Sequence, residues 1–242
     1  MAKTAGILII GSEVLSGKVT DQNSPYLVRE LRDLGVEVQR ISTIPDDVRI
    51  IAHDVREYAG QFDLLFTTGG IGPTHDDVTI EAIAAAFDRR VVRDPVLEKA
   101  LRRYYGSEIT PAQLKMAEIP EGGCLAGEQD LGFPVLVFRN IFIFPGIPEA
   151  VQKKFAQIRE QFRERPYILR RVFLRTDEGH IAEDLHRVLD RYPALQLGSY
   201  PILHNPDHNV ILTLESKDAS YVEQALQYLL ERLPVQAVVK VD

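Results

Sequence analysis

The sequence predicts an α/β protein with a doubly wound, mostly parallel sheet in a three-layer α/β/α arrangement, followed by a smaller α+β domain. Two continuously apolar runs, at residues 7–10 and 64–67, are typical of strands that are covered by helices on both faces. Helical patterns alternate with these runs, as a parallel sheet requires. Beyond residue 166 the predicted order becomes strand, helix, strand, strand, helix, strand, which is typical of a ferredoxin-like domain.

The first half of the chain carries clear helix boundaries. Ser24 is the predicted cap of the first long helix, with Pro25 in its first turn and Gly35 at its end. Asp46 and Asp47 are predicted to cap the next helix. The elements predicted here are strands at 7–10, 36–44 and 64–67 and helices that begin near Ser24, Val48 and Thr79.

The second half divides at a linker that we place at residues 163–166, so the predicted domains are 1–166 and 167–242. Before the linker, two apolar runs flank Arg139-Asn140 and predict a hairpin. The elements predicted before the linker are helices at 95–105, from Thr110-Pro111 and at 149–163 and strands at 135–138 and 141–144. Those predicted after it are strands at 172–175, 195–198, 210–214 and 235–241 and helices at 181–189 and 221–233.

Composition excludes several classes of protein. The 242 residues carry a net charge of −7 and only isolated arginine pairs such as Arg102-Arg103, so we expect no nucleic-acid partner. Cys124 is the only cysteine, which excludes an internal disulfide and a cysteine-rich zinc site. The apolar run at residues 6–10 is too short for a signal-peptide core or a membrane span, so we expect a cytoplasmic protein with no membrane partner.

The loop at residues 69–79 is the most informative motif. Gly69, Gly70 and Gly72 lie between a buried strand and a helix start, where glycine lets backbone N–H groups approach an anion. The spacing matches neither the P-loop nor the dinucleotide fingerprint, and a tight strand-to-helix connection is the alternative. Asp76 and Asp77 would repel a phosphate unless a cation lay between them, so the loop suggests a phosphate-bearing ligand held with a divalent ion.

Three segments follow strands and are therefore expected at one edge of the sheet: residues 11–13, 69–79 and 145–148. Carboxylates in this group are candidate ligands for Mg²⁺ or a similar ion. The candidate metal ligands are Glu13, Asp21, Asp76 and Asp77. For Glu13 the alternative is a solvated loop residue, for Asp21 a helix cap, and for Asp77 a cap of the helix at Thr79.

Further side chains are candidates for binding or catalysis. Lys115 could neutralise charge in a transition state alongside the catalytic candidates Asp76 and Asp77, or it could be a solvated lysine. Tyr200 could stack on a ligand ring or belong to a simple turn, and His75 is more often a bystander in such a loop. The candidate phosphate- or substrate-binding residues are Gly69, Gly70, Gly72, Thr74, Thr79, Asn23, Pro145, Gly146 and Tyr200.

Two motifs carry a family resemblance. The run from Gly69 to Thr79 (Gly-Gly-Ile-Gly-Pro-Thr-His-Asp-Asp-Val-Thr), together with Phe-Pro-Gly-Ile-Pro-Glu at 144–149, resembles the molybdopterin-binding-like superfamily. Within it, the chain is most similar to the N-terminal domain of the competence- and damage-inducible protein A family and to the molybdopterin-binding-like domain of FAD synthases. The resemblance covers essentially the whole chain.

The resemblance implies hydrolysis of pyrophosphate linkages such as those of ADP-ribose or FAD, with a divalent metal (Mg, Mn or Co) and possibly potassium. By this resemblance Asp77 matches the acidic residue before the threonine, Lys115 matches a lysine of the family, and Asp21 with Asn23 matches an Asp-x-Asn element. Ser12 departs from the aspartate or asparagine of many relatives, which implies weaker metal binding.

The leading hypothesis is a metal-dependent hydrolase of nucleotide pyrophosphate linkages, with a nucleotide or pterin as its small-molecule ligand. A non-catalytic pterin- or nucleotide-binding protein is the alternative from a different class. A third hypothesis is an enzyme of molybdenum-cofactor biosynthesis, which is disfavoured because Asp76 stands where such enzymes usually have arginine. We expect a homo-oligomer, with a dimer favoured.

Overall fold

The computed structural model describes residues 3–127 and 134–242, which form two compact units. The first unit is Met1–Glu164 and the second is Arg165–Asp242. The first is an α/β unit with a mostly parallel sheet, and the second has an antiparallel sheet, so the predicted fold class is confirmed.

The first unit is built on a six-stranded sheet with the order β2-β1-β3-β8-β7-β6. Its first four strands are parallel, and β7 pairs antiparallel with β8 on one side and with β6 on the other. Strands β4 and β5 pair separately as a short antiparallel ribbon. The strands are β1 (Thr4–Ile10), β2 (Glu37–Ile44), β3 (Leu64–Thr68), β4 (Val91–Arg93), β5 (Glu118–Pro120), β6 (Cys124–Ala126), β7 (Val135–Phe138) and β8 (Ile141–Phe144).

Helices cover both faces of this sheet, and each face has its own apolar core. Successive side chains of a strand point to opposite faces, so Leu8 and Ile10 enter one core while Ile7 and Ile9 enter the other. The helices are α1 (Ser12–Leu15), α2 (Asn23–Asp33), α3 (Val48–Gln61), α4 (Thr79–Ala86), α5 (Pro95–Tyr105), α6 (Pro111–Lys115) and α7 (Pro148–Ile158).

The strand order reverses between β1 and β3. From β1 the chain moves to β2 on one side, and it then returns to place β3 on the other side of β1. In open α/β sheets a ligand crevice forms at such a switch point, outside the carboxyl ends of the strands. The fold therefore places the ends of β1, β3 and the neighbouring β8 around the position where a ligand is expected.

Several predicted boundaries were wrong in detail. Ser24 does not cap α2, because the Asp21 carboxylate accepts the N–H groups of Asn23 at 2.9 Å and of Ser24 at 3.1 Å. An aspartate that lies two residues before one amide and three before the next can accept from both, and these local bonds replace the serine cap. The helix expected to continue to residue 163 ends at Ile158 and continues as a 3₁₀ turn, Arg159–Phe162.

The second unit has the expected strand, helix, strand, strand, helix, strand order. Its antiparallel sheet has the order β10-β11-β9-β12, and its helices pack with it around a separate core. Its elements are β9 (Ile168–Leu174), α8 (Glu178–Arg191), β10 (Gln196–Pro201), β11 (Val210–Ser216), α9 (Ala219–Leu230) and β12 (Val238–Val241). In the parts of both units that the structure describes, no helix has the length and apolar composition needed to cross a membrane.

Candidate active site

The ends of β1, β3 and β8 meet closely. The Gly69 N–H donates to Phe144 O at 3.1 Å, and a Cβ on Gly69 would lie 2.0 Å from Ile10 O. A Cβ on Gly146 would lie 3.6 Å from the Gly69 Cα. The three strand ends that the sequence predicted to share an edge therefore form one crevice.

The buried side chain of Asn23 joins two of these ends. Its Nδ2 donates to Gly146 O at 2.8 Å and to Thr68 Oγ1 at 3.1 Å, and the residue is only 6% exposed. Both amide hydrogens are used in this way. Asn23 therefore sets the position of the Gly146 turn relative to the end of β3.

The glycine loop offers free backbone donors. Gly69 and Gly70 have φ values of 102° and 66°, a region in which glycine is strongly preferred. Within residues 3–127 and 134–242, the N–H groups of Gly70, Ile71 and Gly72 have no hydrogen-bond acceptor. Amides in this arrangement can bind an anion.

Asp77 makes hydrogen bonds within the loop. Its Oδ2 accepts the Thr74 N–H at 2.8 Å and the Thr74 hydroxyl at 2.6 Å, and it lies against Gly72. It does not cap α4, which begins after Val78 without a side-chain cap. Asp77 therefore shapes the loop and leaves its other carboxylate oxygen, Oδ1, without a bond in the described chain.

Asp76 is exposed and acidic. Its pKa is lowered, first by the nearby Thr74 hydroxyl and then by its own backbone N–H, with smaller contributions from His75 and Lys115. The single hydroxyl proton of Thr74 can serve only one carboxylate at a time, and its 2.6 Å bond is made to Asp77. Asp76 is exposed, so a cation can reach its carboxylate, and the exposed His75 lies 3.9 Å from it.

Lys115 holds the same loop from α6. Its Nζ donates to Asp77 O at 2.7 Å and lies 3.4 Å from Thr74 O. The ammonium is therefore bound to backbone carbonyls beside the two carboxylates. Whether it also neutralises charge in a reaction stays a prediction.

Thr79 is buried beneath the glycine loop and is 0% exposed. Its hydroxyl donates to Gly69 O at 2.9 Å, and its N–H donates to Gly70 O at 3.0 Å. Its side chain therefore contacts the loop from beneath. Its part in binding a ligand stays a prediction.

The first strand end is organised around Asp46. The Ser12 N–H donates to Asp46 Oδ2 at 2.8 Å, and the Asp46 N–H lies 3.3 Å from Ser12 Oγ. Sequence reasoning treated Asp46 only as part of a helix cap, although Asp47 alone caps α3. The adjacent pair of aspartates was the available signal, but a partner 34 residues away could not be inferred from it.

The predicted metal ligands are not gathered into one cluster. In the described chain, the one group of at least three such side chains with ligand atoms within 4.8 Å is His53, Asp54 and Glu57 on α3. Asp21 already accepts bonds from Asn23 and Ser24. Mg²⁺, however, typically uses one or two carboxylates together with substrate phosphates. Asp76 with Asp77 fits that mode, so metal binding at this loop stays a prediction.

The segment at residues 145–148 and Tyr200 are further candidates that lie outside the glycine loop. At the start of α7, Ile147 is 64% exposed, and the helix has no side-chain cap. Pro145 has no N–H, so a donor role in this turn falls to Gly146 and Ile147. Tyr200 lies on β10 in the second unit, where its ring lies against Gly198, and its predicted stacking on a ligand stays a prediction.

Comparison with known proteins identifies the family. A family model described as "probable molybdopterin binding domain" matches residues 6–165, which is more than half of the chain. The chain belongs to this family. A second family model, described as "FAD synthase, middle domain", matches residues 166–242. Both units of this molybdopterin-binding-domain protein thus have family matches, and the suspected resemblance is confirmed.

Individual relatives agree with this assignment. A protein of Archaeoglobus fulgidus is 34% identical over 94% of this chain and 96% of its own length. A probable FAD synthase of Caenorhabditis elegans is 30% identical over 96% of this chain, which spans only 50% of that relative. The crystal structure of the protein CinA of unknown function from Thermoplasma acidophilum aligns with a TM-score of 0.61 and 29% identity, over 66% of this chain and 98% of that one.

Proposed function

We propose that this chain hydrolyses nucleotide pyrophosphate linkages, of the ADP-ribose or FAD type, with a divalent cation. The ligand's phosphates lie at the glycine loop and at the start of α7. Asp76 and Asp77 provide carboxylates to the cation, and the cation, when bound, supplies a polarised phosphate and an activated water.

One observation carries this proposal: backbone donors that have no acceptor in the described chain lie beside carboxylates at the switch point. The amides of Gly70, Ile71 and Gly72 favour an anion, while Asp76 favours a cation. A pyrophosphate group with its metal ion presents both charges to such a surface. The relatives named as FAD synthases support a nucleotide ligand and an enzyme.

Two further side chains, Thr74 and Lys115, have defined tasks in the proposal. Thr74 holds Asp77 in place through two hydrogen bonds. Lys115 draws the Asp77 carbonyl towards α6 and places a positive charge beside both carboxylates. That charge opposes the build-up of negative charge on the ligand during hydrolysis.

The test is a product assay on FAD, ADP-ribose and NAD with Mg²⁺, Mn²⁺ or Co²⁺, with and without potassium. We expect nucleoside monophosphate products. Asp76→Asn should raise the metal concentration for half-maximal rate by about tenfold, because metal affinity follows the number of carboxylates. Stability should be almost unchanged, because Asp76 is exposed.

The matched control is Asp33→Asn, which removes an exposed carboxylate at the end of α2. It should leave the metal requirement unchanged. Asp77→Asn should affect both the metal requirement and the loop, because Asp77 also holds Thr74. If Asp33→Asn and Asp76→Asn raised the metal requirement equally, the change would be caused by general surface charge.

A second candidate function is binding of a pterin or nucleotide without hydrolysis. The observation that favours it is Ser12, which is engaged with Asp46 and brings no charge to the crevice. In the same assay this function predicts saturable binding with no products under any metal. Ser12→Asp should then also fail to restore turnover, whereas the hydrolase proposal expects it to lower the metal requirement.

A further inference from the structure

The glycine loop has a pattern in its carbonyl groups. Gly69 O accepts the Thr79 hydroxyl, and the next carbonyl, Gly70 O, accepts the Thr79 N–H. One buried residue therefore binds two successive carbonyls of the loop. Both bonds are made from beneath the loop, because Thr79 is 0% exposed.

This pattern determines where the loop's amides point. In a planar trans peptide the C=O and N–H of the same unit point in opposite directions. Binding of Gly69 O and Gly70 O towards buried Thr79 therefore turns the N–H groups of Gly70 and Ile71 the other way. In the described chain, neither of these two amides has an acceptor. Two successive outward amides form an anion-binding concavity.

The same arrangement occurs at the neighbouring strand end. Gly146 O accepts the Asn23 Nδ2 at 2.8 Å, and Asn23 is buried. The N–H of that peptide unit belongs to Ile147, and it is therefore directed away from Asn23. Across the described chain it has no acceptor either. Buried side chains thus hold carbonyls at both strand ends.

We propose that Thr79, supported by Asn23, is a positioning residue that turns the backbone amides of Gly70 and Ile71 towards the phosphates of the ligand. This inference rests on the proposed function, and it concerns a residue that does not itself touch the ligand. It assigns phosphate affinity to a hydroxyl buried beneath the site. The ligand class is a diphosphate, because Gly70 and Ile147 provide donors at two adjoining strand ends.

The chain offers an unusually close control. Thr67 is also 0% exposed, and its hydroxyl has no partner in the described structure. Thr67→Val and Thr79→Val make the same isosteric change at buried sites of β3 and α4. Only the second removes a hydrogen bond to a loop carbonyl. Thr79→Ser keeps the hydroxyl and provides the rescue.

The experiment measures binding of ADP-ribose with Mg²⁺ to the full chain and its three variants, together with thermal unfolding and a crystal structure of ligand-free Thr79→Val. Thr79→Val should weaken binding by about tenfold or more, because the Gly70 amide would lose its hydrogen bond to a charged phosphate. Thr79→Ser and Thr67→Val should stay within about threefold of the wild type. The Gly69–Gly70 peptide should be rotated in the Thr79→Val structure.

Each contrary result has a distinct meaning. If Thr79→Val binds ADP-ribose as tightly as the wild type, or if Thr67→Val weakens binding equally, the positioning role is wrong. An unrotated Gly69–Gly70 peptide with weakened binding also overturns it. If the wild-type chain binds none of ADP-ribose, FAD and inorganic pyrophosphate with any metal, the proposed function itself fails, and this inference fails with it.

Discussion

Helix starts in this protein are of two kinds. Helices α3, α5, α6, α8 and α9 begin with an aspartate or threonine whose side chain accepts backbone N–H groups. Helices α4 and α7, which follow β3 and β8, have Val78 and Ile147 at their N-cap positions and no such cap, and the N-cap residues of α1 and α2 likewise provide none. An uncapped start leaves backbone N–H groups available, and in the proposed function those at the start of α7 bind the phosphates of the ligand.

The largest expected effect is on stability, and it concerns Gly69 in the loop that follows β3. Gly69→Ala should lower the free energy of unfolding of the first unit by about 2–5 kcal/mol, through left-handed strain and collision of the new Cβ with Ile10 O. Urea denaturation followed by circular dichroism measures the change.

The control is Gly17→Ala. Gly17 has a φ of 72°, but a Cβ there would meet nothing within 4 Å. It should cost only the strain, about 1–2 kcal/mol. If Gly69→Ala and Gly17→Ala lower the free energy of unfolding equally, the close approach of β1 and β3 does not constrain residue 69.

Adding a cap to α7 should change ligand affinity next most strongly. Ile147→Asp places a carboxylate at an exposed helix start, where it should stabilise the helix by about 0.5–1 kcal/mol and weaken ADP-ribose binding by about tenfold. The carboxylate competes for the amides and repels phosphate. Calorimetric titration with ADP-ribose and Mg²⁺ measures the affinity.

Ile147→Asn separates the two causes, because it can cap the helix without a charge. We expect an intermediate loss of affinity. If Ile147→Asp gains stability and binds as well as the wild type, the start of α7 does not contact the phosphates.

Removal of an existing cap should lower stability and leave ligand affinity unchanged. Asp47 accepts the N–H groups of Arg49 at 2.9 Å and Ile50 at 3.1 Å at the start of α3. Asp47→Ala should lower the free energy of unfolding by about 1 kcal/mol and leave ADP-ribose affinity unchanged. A loss of affinity as large as that of Ile147→Asp would remove the distinction between the two kinds of helix start.

The smallest expected effect on stability concerns Asp76. Its pKa lies below the ordinary value of 3.8, so the ionised form is favoured in the folded chain. The associated stability is present above that ordinary value and is lost as pH falls through the lowered pKa. The loss should be small, because Asp76 is exposed.

Ligand binding makes the titration of Asp76 easier to observe. Metal-dependent ADP-ribose affinity should be constant from neutral pH down to about pH 4 and fall below it as Asp76 protonates, because the pKa of Asp76 is lowered from its ordinary value of 3.8. Asp76→Asn should flatten this fall. An unchanged pH profile in that variant would assign the titration to another carboxylate.

Local signals predicted much of the fold. The helix at 95–105 was located correctly because Pro95 marks its start, and the β7–β8 hairpin followed from its two apolar runs. Strands β4, β5 and β6 were missed because each has three residues, too few to show a period. The strand end at Gly146 was predicted from topology alone.

The internal arrangement of the site could not be predicted from the sequence. Lys115 contacts Asp77, 38 residues away, and Asn23 contacts Gly146, 123 residues away. Such contacts depend on the packing of the completed sheet. Thr79 was predicted to be part of the site, but its complete burial beneath the loop could not be read from the sequence.

Gly69 and Gly70 of the glycine loop differ in how readily they could be substituted during evolution. A Cβ on Gly69 would collide with a main-chain oxygen, Ile10 O, which no exchange of side chains can remove. A Cβ on Gly70 would meet the Thr79 hydroxyl at 2.3 Å, and a smaller residue at 79 would relieve that collision. Substitution of Gly69 is therefore opposed whatever its neighbours are, whereas substitution of Gly70 becomes sterically accessible only in lineages that have already lost the buried Thr79 hydroxyl.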